Sequence, residues 1–599
     1  KAYRAGCEAQ QKFESTCYDL GRQALAFASR HQLPAVIVLG RSYTIHNSTL
    51  NANVPNLLRE QGALAIPLDC YPVEATVPVF PGIYWGSAQA SLRAAHQIRR
   101  SPGQYAIHCS NYSCGPDSFS LHFFSYIMEN KPFSIIETDG HSGDAGTKTR
   151  IEAFLYCVAA EEEKNGGPGS ARRVNDFAGK DTGTGTIVDV RNSGEVLLIP
   201  RMGPCAETIA ALLCADGGRA EAVPAGTRES LRMARKYTSG KECLPLAITL
   251  GGLLERVRQG EGTDERFAFL MPKANGPCRF GVYNLFQKIV LEKCGLAERV
   301  RLISPSDEDY FSQVPVDFQI RALACFVATD MLQAALHDVR PVEKAPGLAQ
   351  AIYDRYIHEL KEMMVSTGTV STLKAFGSVF GRVFGIEPLL KRAGRDFAQV
   401  KDFSRNIPSV AVVGEIYVRL DSFANDHLIE KLEERGLRCL LAPFSEWLLY
   451  CTLNEFQRSD EGCPLPGDRK SSALLTRAIQ RQIVGKFYAA MANPLKWKAR
   501  TKVEEIVRAA DPYISHELIG EAVLSLGGPV HDFLHGHIDG AVSVGPHECM
   551  PNKVVESQFY HVQEKTGLIT LNLAVNGDPI DLEILDRFAF EGSSLFQVG

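Results

Sequence analysis

Residues 34–62 and 408–436 are two copies of one segment. At a constant offset of 374, Pro34, Val36, Val38, Gly40, Tyr43, Ser48, Asn51, Leu58, Glu60 and Gly62 recur as the same residue types. Unrelated segments of this length share about one or two residues, so the match is read as an internal duplication. In each copy a proline precedes an unbroken apolar run, Ala35–Leu39 or Val410–Val413, that ends at a glycine. A run without polar alternation predicts a strand covered on both faces, as in parallel sheets. A helix follows, with Leu50, Val54, Leu57 and Leu58 on one face in the first copy and Leu428, Ile429 and Leu432 in the second. It stops at Gly62 or Gly436, where glycine closes a helix without a Cβ penalty.

The duplication continues downstream. The short strand Tyr105–His108 leads into a loop carrying Cys109 and Cys114. Ala541–Val544 leads into Gly545–Lys553, which carries Cys549, 435 residues after Cys114. Ile151–Phe154 is echoed by Arg587–Phe590, 436 residues on. The expected fold class is therefore α/β, built of several three-layer open parallel-sheet units of Rossmann or flavodoxin type, with an internal duplication and a mainly helical segment. The expected boundaries are a first α/β repeat unit over 1–165, an α/β unit with two cysteine motifs over 166–300, a helical segment over 301–404, and a second repeat unit over 405–599. Between the two repeat units, Ile187–Val190 and Val196–Ile199 are expected as strands, and 164–170 and 181–186 as loops.

Composition narrows the function classes. The formal charge of −5 over 599 residues, with no Lys/Arg block, argues against nucleic acid as a partner. Ile320–Leu336 is the most apolar helical stretch, and it contains Arg321 and Asp330, so no membrane partner is expected. The chain opens on Lys-Ala-Tyr-Arg without a signal-peptide pattern, which leads to the expectation of a piece of something longer in a reducing, cytoplasmic compartment. Sixteen cysteines are too dilute for a disulfide scaffold.

Four of those cysteines recur in one setting. Cys114, Cys243, Cys278 and Cys549 each stand beside Gly or Pro at or near the start of a helix, and all four are expected in similar strand-to-helix loops. Such loops line a common crevice at the carboxyl ends of parallel strands, and free N–H groups at a helix start favour a thiolate or an anionic cluster. The positions alone admit two readings, cluster ligands or small residues in tight loops. No Cys-x-x-Cys pair occurs, which argues against a zinc ribbon. Cys70 is a weaker candidate. Cys205, Cys214, Cys294, Cys325, Cys439 and Cys451 lie in apolar patterns and are expected in packing. His531, His535 and His537 have helical metal-ligand spacing but lack the glutamate of a zinc hydrolase, and are expected at a solvated helix end. Gly140–Thr149 is phosphate-loop-like without being a P-loop; a tight loop is expected. His141, Asp144 and Glu548 lie beside the motifs, but no acid or base is assigned.

As a group, Ser239-Gly-Lys-Glu-Cys243-Leu-Pro, Gly276-Pro-Cys278-Arg-Phe-Gly, Glu548-Cys549-Met-Pro, Cys114-Gly-Pro-Asp-Ser-Phe and His141-Ser-Gly-Asp-Ala-Gly resemble motifs of the large fused family joining acyl-CoA dehydratase activase-type ATPase domains to 2-hydroxyacyl-CoA dehydratase-like domains, related to double-cubane cluster proteins. The resemblance covers nearly all of the chain. It implies an iron–sulfur cofactor, a 4Fe–4S cubane or a bridged 8Fe–9S double cubane. Cys243, Cys278 and Cys549 would form one ligand set, and Cys114 would belong to an incomplete first set. It further implies an ATP-dependent low-potential reductase or dehydratase-like system. Its partners would be an activase-type ATPase domain, which supplies the ATP chemistry, and a small-molecule or acyl-CoA substrate; an oligomer is expected. The alternatives are a non-catalytic acyl-CoA- or partner-binding module without a cluster and a zinc-stabilised structural protein.

Overall fold

In the computed structural model the described residues are all but 113, 140–142, 165–176, 181–184, 275, 306–313, 461–468, 519 and 597–599. Among the described residues, twelve strands form three parallel sheets of four. The first joins β1 (Ala35–Gly40), β2 (Leu64–Pro67), β3 (Gln104–Asn111) and β4 (Phe133–Thr138) in the order β2-β1-β3-β4. The second joins β5 (Val196–Ile199), β6 (Ala220–Ala222), β7 (Phe267–Leu270) and β8 (Val300–Ile303) as β6-β5-β7-β8. The third joins β9 (Ser409–Gly414), β10 (Arg438–Leu441), β11 (Gly540–Pro546) and β12 (Ile569–Val575) as β10-β9-β11-β12. The strand order is thus the same three times. In each sheet it reverses between the first and third strands, where open α/β sheets place their ligands.

The chain divides into two compact units. One is Lys1–Gly183 with Lys273–Ala297, and the other is Thr184–Pro272 with Glu298–Gly599. The first unit holds β1–β4. It also takes in the crossover between β7 and β8, including Cys278 and the helix Tyr283–Lys293, whose Tyr283 ring stacks on Phe119 at 5.7 Å. The second unit holds the other two sheets and the helical layer.

The duplication is visible in three dimensions. β1 and β9 are buried along their whole length, as the unbroken apolar runs require. Both end on a glycine at positive φ, Gly40 at 140° and Gly414 at 114°. A Cβ would stand 2.4 Å from the Cys109 carbonyl oxygen at Gly40 and 2.0 Å from that of Val544 at Gly414. The following turns also match. Asn51 donates to the Ile45 carbonyl, Asn425 donates to those of Val418 and Arg419, and both turns pass through two left-handed residues, Ala52-Asn53 and Asp426-His427.

The stretch Ile187–Val190 forms a helix, Ile187–Ser193, and not the expected strand. Thr186 and Asp189 make a reciprocal capping box and Gly194 closes the end in the left-handed conformation, so local capping outweighs β-branched propensity. The segment from Val316 to Val400 is helical as expected. Its first helix lies in a span, Val316–Val342, long and apolar enough to cross a membrane, yet 72% of the apolar 18-residue window within it is buried inside the protein. Arg321, fully buried in that helix, donates to both Asp216 oxygens at 2.8 and 2.9 Å and to Asp317 at 2.9 Å. Those carboxylates are what make a buried guanidinium tolerable. Of the cysteines expected in packing, Cys205, Cys325 and Cys439 are buried. Cys294 is half-buried, while Cys214 and Cys451 lie on the outward faces of their helices.

Gly414→Ala is expected to lower stability by roughly 2–4 kcal/mol, because it adds both a backbone clash and a strained positive φ. Urea denaturation followed by circular dichroism would measure it; an unchanged midpoint would mean that the close approach to Val544 is not fixed.

Candidate functional site

In the first unit, β1 delivers Arg41 directly after Gly40, and β3 delivers the Cys114 loop. The two strands are neighbours with Gly40 opposite Cys109, so Arg41 and Cys114 meet where the strand order reverses. The Arg41 guanidinium and the Asp117 backbone N–H both interact with the Cys114 sulfur. Asp117, buried at the start of the helix Asp117–Met128, accepts from Ser110 Oγ at 2.7 Å and Ser120 Oγ at 3.4 Å. Burial first, then the Asp117 charge, pushes the Cys114 thiol up to about 11, with Arg41 pulling the other way. At neutral pH the free thiol is protonated. Cys278 reaches the same end of this unit, since Arg279 Nη1 lies 3.5 Å from Ser118 Oγ and Trp85 Nε1 donates to the Pro277 carbonyl at 3.0 Å. Cys278 itself is exposed.

In the second unit, Cys243 and Cys549 are buried and stand immediately before the helices Leu244–Gln259 and Met550–Thr566, each with proline in the first turn. The Cys243 loop is shaped by Glu242, whose carboxylate accepts from the Ser239 and Gly240 backbone N–H groups and from Ser239 Oγ. Before Cys549 the backbone turns through Glu548 at φ 54°. The two loops come together at the end of β12. His547 N–H donates to the Val575 carbonyl at 3.1 Å, and Arg235 Nη2 donates to that of Asn576 at 2.6 Å. A Cβ on Gly577 would stand 3.3 Å from Leu244 Cδ1.

Each unit thus brings two of the four expected cysteine loops to one end, Cys114 with Cys278 and Cys243 with Cys549. The set Cys243, Cys278 and Cys549 is not gathered within either unit. Among the described residues no group of three or more His, Cys, Asp and Glu side chains is disposed to hold a metal ion. Thiols at helix starts have the right donor chemistry for an iron–sulfur group. His141 lies outside the described residues. Glu548 is placed by its left-handed backbone, and His531, His535 and His537 gather at the C-terminal end of the helix Glu521–Leu534 around Asp532.

Two features escaped sequence reasoning. The first is Arg41, whose counterpart at offset 374 is Glu415. The second is a set of enclosed carboxyls at the same point of the third sheet. Glu415 accepts from the Tyr417 and Val418 N–H groups, and Glu521 accepts from Ile416 N–H at 3.0 Å. Arg419, buried beneath them, donates to the Gly414 and Ala442 carbonyls. Desolvation, then the Glu415 charge, pushes the Glu521 carboxyl up to about 8. Desolvation likewise raises Glu446 to about 7 and Asp330 to about 6. The repeat offset was the available signal for Arg41 and Glu415; nothing local marks Glu521, which enters from another helix.

Against known proteins, residues 1–71 match the family model described as a CoA enzyme activase uncharacterised domain. That segment runs from the first helix through β1 and β2 to Tyr71, and over that length the match supports the activase and dehydratase-like resemblance; the cysteine motifs lie beyond it. No curated protein matches the chain.

A carboxyl that binds its proton more tightly when folded contributes stability below the ordinary glutamate range and loses it as pH rises toward its folded value. Between pH 5 and 8.5, therefore, the stability of Glu521→Gln relative to the parent is expected to shift in the variant's favour by several degrees of midpoint. Thermal melts at the two pH values would show it; a constant difference would mean that Glu521 is ionised throughout.

Proposed function

We propose that this chain is a component of a CoA enzyme activase and 2-hydroxyacyl-CoA dehydratase-like system, accepting electrons from an activase-type ATPase partner and acting on a small-molecule or acyl-CoA substrate. The observation that carries the reading is the match of residues 1–71 to a CoA enzyme activase domain. The paired cysteine loops at the carboxyl ends of the strands support it. In this reading Cys114, Cys243, Cys278 and Cys549 are the donors offered to an iron–sulfur group, which would carry single electrons at low potential when bound. Arg41 holds positive charge against the Cys114 sulfur, and the Pro- and Gly-bounded loops keep the backbone tight around each thiol.

A second reading is a binding module without a cluster, in which the α/β units bind an acyl-CoA or a partner ATPase. Anaerobic purification followed by iron and acid-labile sulfide analysis separates the two. The first expects about four irons per chain or more, with a brown chromophore bleached by Cys549→Ser. A colourless, iron-free protein after anaerobic reconstitution, still retained by an immobilised acyl-CoA, would leave the binding module.

A further inference from the structure

The first helix, α1 (Ala2–His31), packs on the rest of the first unit mainly through its second half. Up to Leu20 every residue is exposed except Cys7 and Cys17, which are half-buried. The docked face is Gly21, Ala24, Leu25 and Ala28, set against Ala35, Leu64, Ile66 and Cys70. Cys17 lies one turn before Gly21 on that face, since positions four apart stack along a helix. Gly21 is where the contact is tightest: a Cβ there would stand 1.7 Å from the Cys70 carbonyl oxygen. The bare helix backbone therefore rides directly on the Cys70 backbone. Cys70 is held in turn by the short 3-10 turn Leu68–Cys70, closed by Tyr71 N–H to the Leu68 carbonyl at 3.0 Å, while Tyr71 Oη donates to Gln104 at 2.6 Å. With both backbones fixed in this way, Cys17, one turn along the same face, is the thiol close enough to add to the burial that raises the Cys70 pKa. Both thiols are free, and neither is fully buried. Both lie within the segment that matches the activase domain, and neither belongs to the four cysteine loops.

We propose that Cys17 and Cys70 are a reversible dithiol modification site that closes to an intramolecular disulfide with a low-molecular-weight disulfide as oxidant. One cysteine thiolate attacks the oxidant's S–S bond, forming a mixed disulfide and releasing one small thiol. The second cysteine thiolate then attacks the protein sulfur of that mixed disulfide, forming the Cys17–Cys70 bond and expelling the other small thiol. Two electrons pass from the cysteine pair to the oxidant's sulfurs, and the two protons lost by the cysteines balance those taken up by the released thiols. The bond staples α1 to the edge of the first sheet and stops the helix from lifting. Reduction frees it.

The test uses the full chain, metal-free and fully reduced, exposed to a series of oxidised-to-reduced glutathione ratios and then blocked with N-ethylmaleimide. Non-reducing tryptic mapping is expected to show peptide 13–22 joined to peptide 60–93, with two of the sixteen thiols lost. Protease cleavage within residues 2–31 should slow several-fold on oxidation and recover with dithiothreitol. Cys17→Ser and Cys70→Ser should each abolish the joined peptide and leave a glutathione adduct on the remaining cysteine. A trivalent arsenical, which bridges two neighbouring thiols, should link the same peptides in the unmodified protein, independently of any variant's folding. Separate glutathione adducts on Cys17 and Cys70 without a joined peptide, or joining of either to Cys7, would overturn the proposal.

Discussion

Two glycines at the ends of strands set the geometry of both copies of the duplicated segment. At Gly40 and Gly414 the backbone of one strand comes so close to the carbonyl of its neighbour that no side chain fits between them. Because β1 and β3, or β9 and β11, run side by side to that point, the residues that follow are delivered together at the place where the strand order reverses. Arg41 faces the Cys114 loop in one copy. In the other, Glu415 stands at the corresponding position, with the Cys549 loop following the neighbouring strand. Without that close approach the strand ends would splay, and the loops after them would have no common end to occupy.

The two copies keep the frame and diverge in the charge they place on it. Arg41 puts a cation against a half-buried thiol, which eases negative charge on sulfur. Glu415 turns its carboxylate back onto the start of its own helix and shares a desolvated corner with Glu521. The same scaffold therefore offers an electropositive thiol in one unit and a proton-retaining carboxyl pair in the other. A strict duplication of chemistry would have kept one residue type at both places, so the divergence points to different tasks at the two strand ends.

The four cysteines extend this asymmetry. Cys243 and Cys549 are buried, each before a helix with proline in its first turn, while Cys114 is partly covered and Cys278 is exposed. Burial raises a thiol's pKa, as Cys114 shows, and holds that thiol protonated at neutral pH. Cys17 and Cys70 are of another kind. They owe their proximity to a glycine contact between a helix and a turn, and they need no third ligand.

The amino-acid sequence by itself determined the repeated strands, their burial on both faces, the duplication at offset 374 and the placement of Cys243 and Cys549 before proline-led helices, because each of these follows from local periodicity, glycine and proline. It left the third copy of the strand order hidden, since β5–β8 are only three or four residues long and share no identity pattern with the others. It misread Ile187–Val190, where a capping box outweighed β-branched residues. Tertiary structure alone decided which cysteines share a unit, that Arg41 meets Cys114, that Glu521 sits above Arg419 and that Cys17 faces Cys70. Those pairings join residues tens to more than a hundred positions apart in the chain, and only the packing of crossover helices onto the sheets brings them within a few ångströms.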